Sequence, residues 1–379
     1  MSVTVFTFSP PSNAARRTGA ALSRPLLGIL QPADGRAVTT KAAGVGAVLL
    51  EARWRDLQPV AGAGLDSAAV SALRKRYATF QRAGLQVVFS PGLQDAPSWV
   101  FDLDPDTRFV DQYGIKWHGG PGEDVPDAVW NPKVRAAQKA YLQKLTVAIK
   151  GLKFTAVRAG GLLNGELRYP DQALPRHSFW AFGKWARASN PVRGWVPGTG
   201  KPAQAQKFIS WYLDSLVEYQ RFIVAQTQLM VPGAPVLVLY PNVGLRPGQA
   251  EAAAAARLSG GTLAENNNTL SQGLDWARQV AALPKRGVLA YQSSIDRAGT
   301  GTTAQTKSPI AYLSDLAIRA GVGIAGENQG SNTPAELARA YAHARTYKLS
   351  MMFIMNEADL YSGRTDRPSL SQVTAMQTS

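Results

Sequence analysis

The stretch Ala43–Pro59, AGVGAVLLEARWRDLQP, carries in miniature the pattern on which the fold turns. Two glycines close one segment and open the next, and Ala47–Glu51 follows as an apolar run that stays apolar until its final carboxylate. A short run without polar alternation reads as a strand buried on both faces, the habit of parallel sheets covered by helices. Gly321–Gly330, GVGIAGENQG, repeats the design: glycine turn, apolar run, strand-end glutamate. Working outward, equivalent runs lie at Leu26–Leu30, Gln86–Ser90, Phe154–Leu163, Pro235–Tyr240, Gly287–Gln292, Val322–Gly326 and Ser350–Asn356. Between them the apolar spacing turns helical, most clearly over Ser67–Ala83, Val134–Ile149, Ala205–Gln228 and Pro334–Tyr347. In the third of these Phe208, Tyr212, Leu216 and Ile223 form one stripe, the face an outer helix turns to a core.

Eight such strands alternating with helices predict an α/β fold, a closed (β/α)₈ or TIM barrel. A doubly wound open sheet is the alternative, but it would carry a glycine-rich phosphate turn after its first strand, and Leu26–Gly35, LLGILQPADG, is not one. The reading is of a single barrel over residues 1–379, with residues 1–24 as an N-terminal extension.

Composition agrees with a packed enzyme-sized domain. The 379 residues are 45% hydrophobic and 18% charged, which supplies a large core and argues against disorder. There is no cysteine, so disulfides, thiolate metal sites and cysteine nucleophiles are excluded, and three scattered histidines leave no His-rich cluster. No metal or other cofactor is expected. The formal net charge of +15 suggests an anionic partner. Nucleic acid is a poor candidate, since the basic residues are dispersed, with only short runs such as Arg74–Arg76 and no recognition motif. An anionic polysaccharide accounts for the charge better. No run approaches the roughly 20 apolar residues of a membrane helix, and the N-terminus lacks a signal-peptide pattern. The expected location is therefore cytoplasmic or on a virion.

Two connections are long, Pro91–Pro132 after the third strand and Arg168–Gln204 after the fourth, and both are rich in Pro, Gly and Trp. In a barrel such loops stand on the face where sites are built. Seven of the nine tryptophans follow strands or lie in these loops, Trp54 and Trp99 among them. They either pack the loops onto the barrel or present flat faces to sugar rings in a cleft.

The chemistry rests on acids at strand ends. Glu166 ends the fourth strand in Gly160–Pro170, GGLLNGELRYP, and Glu327 ends the seventh. Only a sheet that closes on itself brings residues so distant in sequence into one cleft. Two opposed carboxyl groups are what glycosidic hydrolysis needs, one to protonate the leaving oxygen and one to act as nucleophile or activate water. Glu51, Asp95, Asp296 and Glu357 are the other strand-end acids, read as substrate-binding or structural, with the Asn356–Glu357 pair the rival of Glu327.

Gly165–Pro170, GELRYP, resembles the β-amylase segment that carries the general acid on the fourth barrel strand. The wider layout is similar to clan A glycoside hydrolases, particularly the β-galactosidase type. Ala43–Pro59 resembles their second-strand segment. Gly84–Asp102, GLQVVFSPGLQDAPSWVFD, resembles their third strand and its loop, and Phe109–Gly114 with Asp127–Arg135 resembles the stretch before the next helix. The chain departs from the clan in placing Gly165 between Asn164 and the acid. The resemblance implies a retaining hydrolase with Glu166 as acid/base and Glu327 as nucleophile. It implies Arg53 as the cation that holds the nucleophile ionised and Tyr291 as its orienting hydroxyl. Arg53 equally suits a salt bridge with Glu51 or Asp56. Asn164, Gln292 and Asn328 are candidates to hydrogen-bond sugar hydroxyls, because amides both donate and accept. Trp54, Trp99, Asn356 and Glu357 complete the substrate-binding candidates. The competing function is a catalytically inactive carbohydrate-binding or structural barrel, such as a virion tail component.

Overall fold

The structure is a computed structural model that describes residues 24–120, 123–171, 178–241, 243–259 and 267–376. All but one residue of the expected N-terminal extension, and His177, lie outside the described residues.

The eight strands are β1 (Leu26–Ile29), β2 (Ala47–Glu51), β3 (Gln86–Ser90), β4 (Ala156–Ala159), β5 (Val236–Tyr240), β6 (Val288–Gln292), β7 (Gly323–Glu327) and β8 (Met351–Ile354). Each pairs in parallel with the next, and β8 returns to β1 with Leu26 opposite Met351 and Ile29 opposite Ile354. The ring is closed: the chain folds as a (β/α)₈ TIM barrel. The four helices expected from periodicity occur at Ser67–Arg82, Pro132–Ala148, Pro202–Met230 and Pro334–Thr346. Proline occupies the first turn of the last three, where its missing N–H costs no helical bond.

Strand side chains alternate sides, and this splits the buried residues into two sets. Val48, Leu50, Val87, Phe89, Val157, Val236 and Val238 face outward and pack with helix residues such as Phe80, Tyr141, Leu216 and Ile223. Ala47, Leu49, Val88, Ala156, Leu237, Leu239, Tyr291, Ala325 and Phe353 fill the ring itself. Carried one step toward the C-terminal ends, the inward parity belongs to Glu51, Ser90, Arg158, Tyr291 and Glu327. These form a polar lid on an apolar barrel interior.

One boundary differs from expectation. The fourth run, read as Phe154–Leu163, gives a strand only over Ala156–Ala159. A Cβ on Gly160 would lie 1.7 Å from the Gly165 carbonyl oxygen, so the chain folds back on itself there. Asn164 takes a left-handed φ of 58° inside the short turn Leu163–Gly165. Glu166 therefore sits beyond this turn rather than at the strand end.

The two long loops are anchored by aromatic packing. Trp130 stacks on Tyr169 (5.1 Å between centroids) and Tyr169 on Tyr212 (4.2 Å), which belongs to the helix Pro202–Met230. Trp54 stacks on Tyr141 at 5.0 Å, and Trp99 meets Trp54 edge to face at 5.7 Å. The loop that begins at Arg168 is thus tied to the outer layer immediately after Glu166.

Candidate active site

A cavity of about 600 Å³ opens over the C-terminal ends of the strands, lined among others by Glu51, Gln94, Arg158, Asn164, Glu166, Ser293 and Glu327. It brings together both glutamates singled out from the sequence. Each is nearly buried, with 8% of Glu166 and 5% of Glu327 exposed, which matters because a buried carboxylate needs partners.

Glu327 ends β7 with inward parity. The Tyr291 hydroxyl, from the neighbouring strand β6, donates to its Oε2 at 2.6 Å. The Arg158 guanidinium lies 3.3 Å from the same oxygen and 5.3 Å from the Tyr291 ring centroid. Burial pushes the Glu327 carboxyl above the ordinary glutamate range, while Arg158 and the Tyr291 hydroxyl pull it back and Glu51 adds a further push upward.

Glu166 is held by a separate set. Arg168 Nε donates to its Oε2 at 2.9 Å and reaches Asp171 through Nη1 at 2.6 Å. The Ser293 hydroxyl donates to Oε1 at 2.9 Å from just beyond β6. Burial raises this carboxyl too, opposed by Arg168 and Ser293, and the negative charge of Glu327 raises it further. The charge on Glu327 therefore favours the protonated form of Glu166.

Glu51 and Asp95 extend the acidic lining. Gln94 Nε2 donates to Glu51 Oε1 at 2.7 Å, and Arg55 pairs with Asp95 at 3.0 Å. Burial and the nearby Glu51 charge push the Asp95 carboxyl up to about 6, against Arg55 and Arg53.

The other residues singled out from the sequence fall elsewhere. Arg53 does not touch Glu327; it is half exposed and paired with Asp56 at 2.7 Å, and Arg158 occupies the place beside the acid. Trp54 is fully buried under the second strand's loop, donating to Gln58, and Trp99 donates to the Gln58 carbonyl oxygen. Gln292 and Asn328 follow Tyr291 and Glu327 directly, so they take the outward parity and are buried: Gln292 bonds Ser294, and Asn328 bonds Asn332 and the Met355 N–H. Asn356 has φ 56° and donates to the Gly330 carbonyl oxygen. Glu357 accepts from the Ala33 N–H at 2.8 Å and the Thr40 hydroxyl at 3.1 Å, with Arg36 at 3.7 Å. It clamps the segment after β8 to the segments after β1. Asn164 and Tyr291 do reach the site, the first as lining and the second through its hydroxyl.

The tryptophans pack the loops. Trp180 is buried and donates to the Pro170 carbonyl oxygen, Trp195 donates to that of Thr199, and Trp117 meets Trp180 edge to face at 5.6 Å. Among the described residues no aromatic ring lines the main cavity. The basic run is likewise occupied, with Arg74 on the Ala148 carbonyl oxygen and Arg76 on Asp34. Among the described residues no group of three or more acids and histidines is placed to hold a metal ion, and no helix is long and apolar enough to cross a membrane.

Arg158, Arg168, Ser293 and Gln94 were not anticipated. Arg158 did leave a signal, a lone cation inside an otherwise apolar strand, where only a buried acid makes it tolerable.

The barrel as a whole is similar to the catalytic domain of β-amylase from Paenibacillus polymyxa, with TM-score 0.69 and 14% identity over 94% of this chain and 98% of that one. It is also similar to β-galactosidase from the psychrophilic Marinomonas ef1 (TM-score 0.60, 12% identity, 93% of this chain and 59% of that one). A third likeness is to β-galactosidase from Bacillus circulans sp. alkalophilus (TM-score 0.60, 12% identity, 94% and 56%). The chain thus spans little more than half the length of those β-galactosidases. No family model and no curated protein matches the sequence. At these identities the likeness to clan A-like glycoside hydrolase barrels is one of fold.

Proposed function

We propose that the protein is a glycoside hydrolase that cleaves O-glycosidic bonds by a two-glutamate, retaining mechanism. One observation carries the reading: two nearly buried carboxyls, from β7 and from the turn after β4, line one cavity, each with its own cation and its own hydroxyl donor. In this scheme Glu166 gives its proton to the glycosidic oxygen while a Glu327 oxygen bonds the anomeric carbon and the leaving group departs. Glu166, now ionised, takes a proton from water, the water oxygen bonds the same carbon, and Glu327 is released. Tyr291 and Arg158 hold Glu327 in the ionised, oriented form needed for attack.

Four carboxyl groups and one guanidinium lie in the cavity lining, so a neutral sugar at the point of cleavage suits it better than an anionic one. Activity compared on neutral and uronic-acid polymers at low and high salt tests this.

The roles separate by leaving group. Glu166→Gln should lower kcat/KM for alkyl glycosides by roughly 10²–10⁴-fold, the usual contribution of a general acid. It should spare kcat/KM for 2,4-dinitrophenyl glycosides, whose leaving group needs no proton, while their kcat falls with the lost base of the second step. Glu327→Gln should lose both. Equal activity of either variant with wild type on alkyl glycosides overturns the assignment.

A second reading has one observation of its own. The Arg168–Glu166 ion pair favours an ionised Glu166, which suits a binding barrel without catalysis. Sugar binding by the wild type with no turnover of any glycoside would establish that reading.

A further inference from the structure

Beside the main cavity lies a second one of about 410 Å³, within the ~300–1,000 Å³ range of small-ligand pockets. The two share Gln94 and Asp95 as a common wall. Beyond that wall the second cavity is lined by Arg55, Ser98, Phe101, Asp102 and Arg108 among others. Resting on the hydrolase reading above, we propose that this second cavity is a sugar subsite. The substrate would then be an oligosaccharide whose chain crosses Gln94 and Asp95 from one cavity into the next, rather than a single terminal sugar.

Three features support this. The shared wall is fixed from both sides: Gln94 donates to Glu51 in the first cavity, and Arg55 pairs with Asp95 in the second. The far wall is rigid as well. Arg108 donates to the Trp117 carbonyl oxygen at 3.0 Å and to both oxygens of Asp124 at 2.6 and 2.8 Å, with its guanidinium 4.3 Å over the Phe101 ring. A preformed wall spares a bound ring the cost of ordering it. Finally, the cations named here are each paired with an acid, while Ser98 and Asp102 present exposed polar side chains. Neutralised cations with spare hydroxyl and carboxylate acceptors suit the hydroxyls of an uncharged ring.

The test is binding along a length series, read in the Glu166→Gln background so that no probe is consumed. The probes are gluco-, galacto- and xylo-oligosaccharides of one to four rings, followed by ligand-observed NMR. Affinity should rise at least tenfold between one ring and the first chain long enough to enter the second cavity. Ser98→Trp, which fills that cavity from an exposed position outside the catalytic group, should cancel the rise and leave single-ring affinity within twofold. Asp102→Ala, a gentler change, should remove about threefold of the rise. Affinity independent of length, or Ser98→Trp weakening one ring as much as several, overturns the subsite. Absence of turnover by wild type would instead sink the hydrolase reading, and the length step would still be measurable.

Discussion

Glu327 and Glu166 reach the same cavity by different means: the first stands in register at the end of β7, the second on a turn folded back after β4. For Glu327, barrel geometry alone suffices, because Ala325 fills the ring interior and the second residue onward must face the same way. For Glu166, position depends on the close approach of Gly160 to the Gly165 carbonyl and on the aromatic stack that begins at Tyr169. The lesson is that a site can combine one carboxyl placed by the sheet with one placed by loop packing. The two should then fail differently when disturbed.

The largest effect is expected from Arg158→Met. It leaves Glu327 buried without its cation, a loss of about 3–5 kcal/mol for breaking a buried ion pair, seen as a large drop in Tm. In whatever folds, the sign is fixed. Glu327 already sits above the ordinary glutamate range, and losing Arg158 raises it further, so activity that needs the ionised form fails at a higher pH on the acid side. An acid limb that stays in place would show that Glu327 is not the group being titrated.

Gly160→Ala probes the other carboxyl. Its Cβ would collide with backbone rather than with a movable side chain, so the turn must shift and carry Glu166 with it. The expected outcome is loss of alkyl-glycoside turnover like that of Glu166→Gln, on a barrel whose circular dichroism is unchanged. Normal turnover would mean that the turn does not set Glu166.

Tyr291→Phe should cost about 10–100-fold in kcat, equivalent to the ~1.5–3 kcal/mol of a hydrogen bond to a charged group, with a modest upward shift of the acid limb. A change in KM alone would move Tyr291 from orienting Glu327 to contacting sugar. Smallest of all is Arg53→Ala. An exposed pair with Asp56 contributes ~0–1 kcal/mol, so kcat and Tm should both stay close to wild type. A large loss of kcat would reinstate Arg53 at the site.

Much of this comparison was readable in advance. Buried apolar runs marked eight strands, and the closure of the sheet followed from their number and spacing. The glutamates stood out because acids at strand ends are costly without a use. The errors came from treating every polar strand-end residue as facing the cavity. Parity could have separated Tyr291 and Glu327 from Gln292 and Asn328, since neighbours in a strand point to opposite sides. Arg158 was hidden for a related reason: the resemblance directed attention to Arg53, past the strand end, although a cation inside a strand is the stronger anomaly. For the tryptophans both readings stayed open, because loop composition does not reveal whether a ring faces solvent or a helix. Tyr141 and Tyr212, the partners of Trp54 and of the Tyr169 stack, lie in helices whose packing only the folded chain reveals.

The clamp made by Glu357 has a consequence for how the molecule comes into being. It bonds Ala33, Thr40 and Arg36, all near the first strand, and it lies just past the last one, where Met351 pairs with Leu26. During synthesis those early segments must wait, with the β1 edge unpaired, until β8 has left the ribosome. Contacts this remote in sequence form slowly and expose unpaired strands meanwhile. A ribosome stalled before Met351 would therefore hold an open ring, and the Glu357 contacts are expected to be among the last to form in barrel closure.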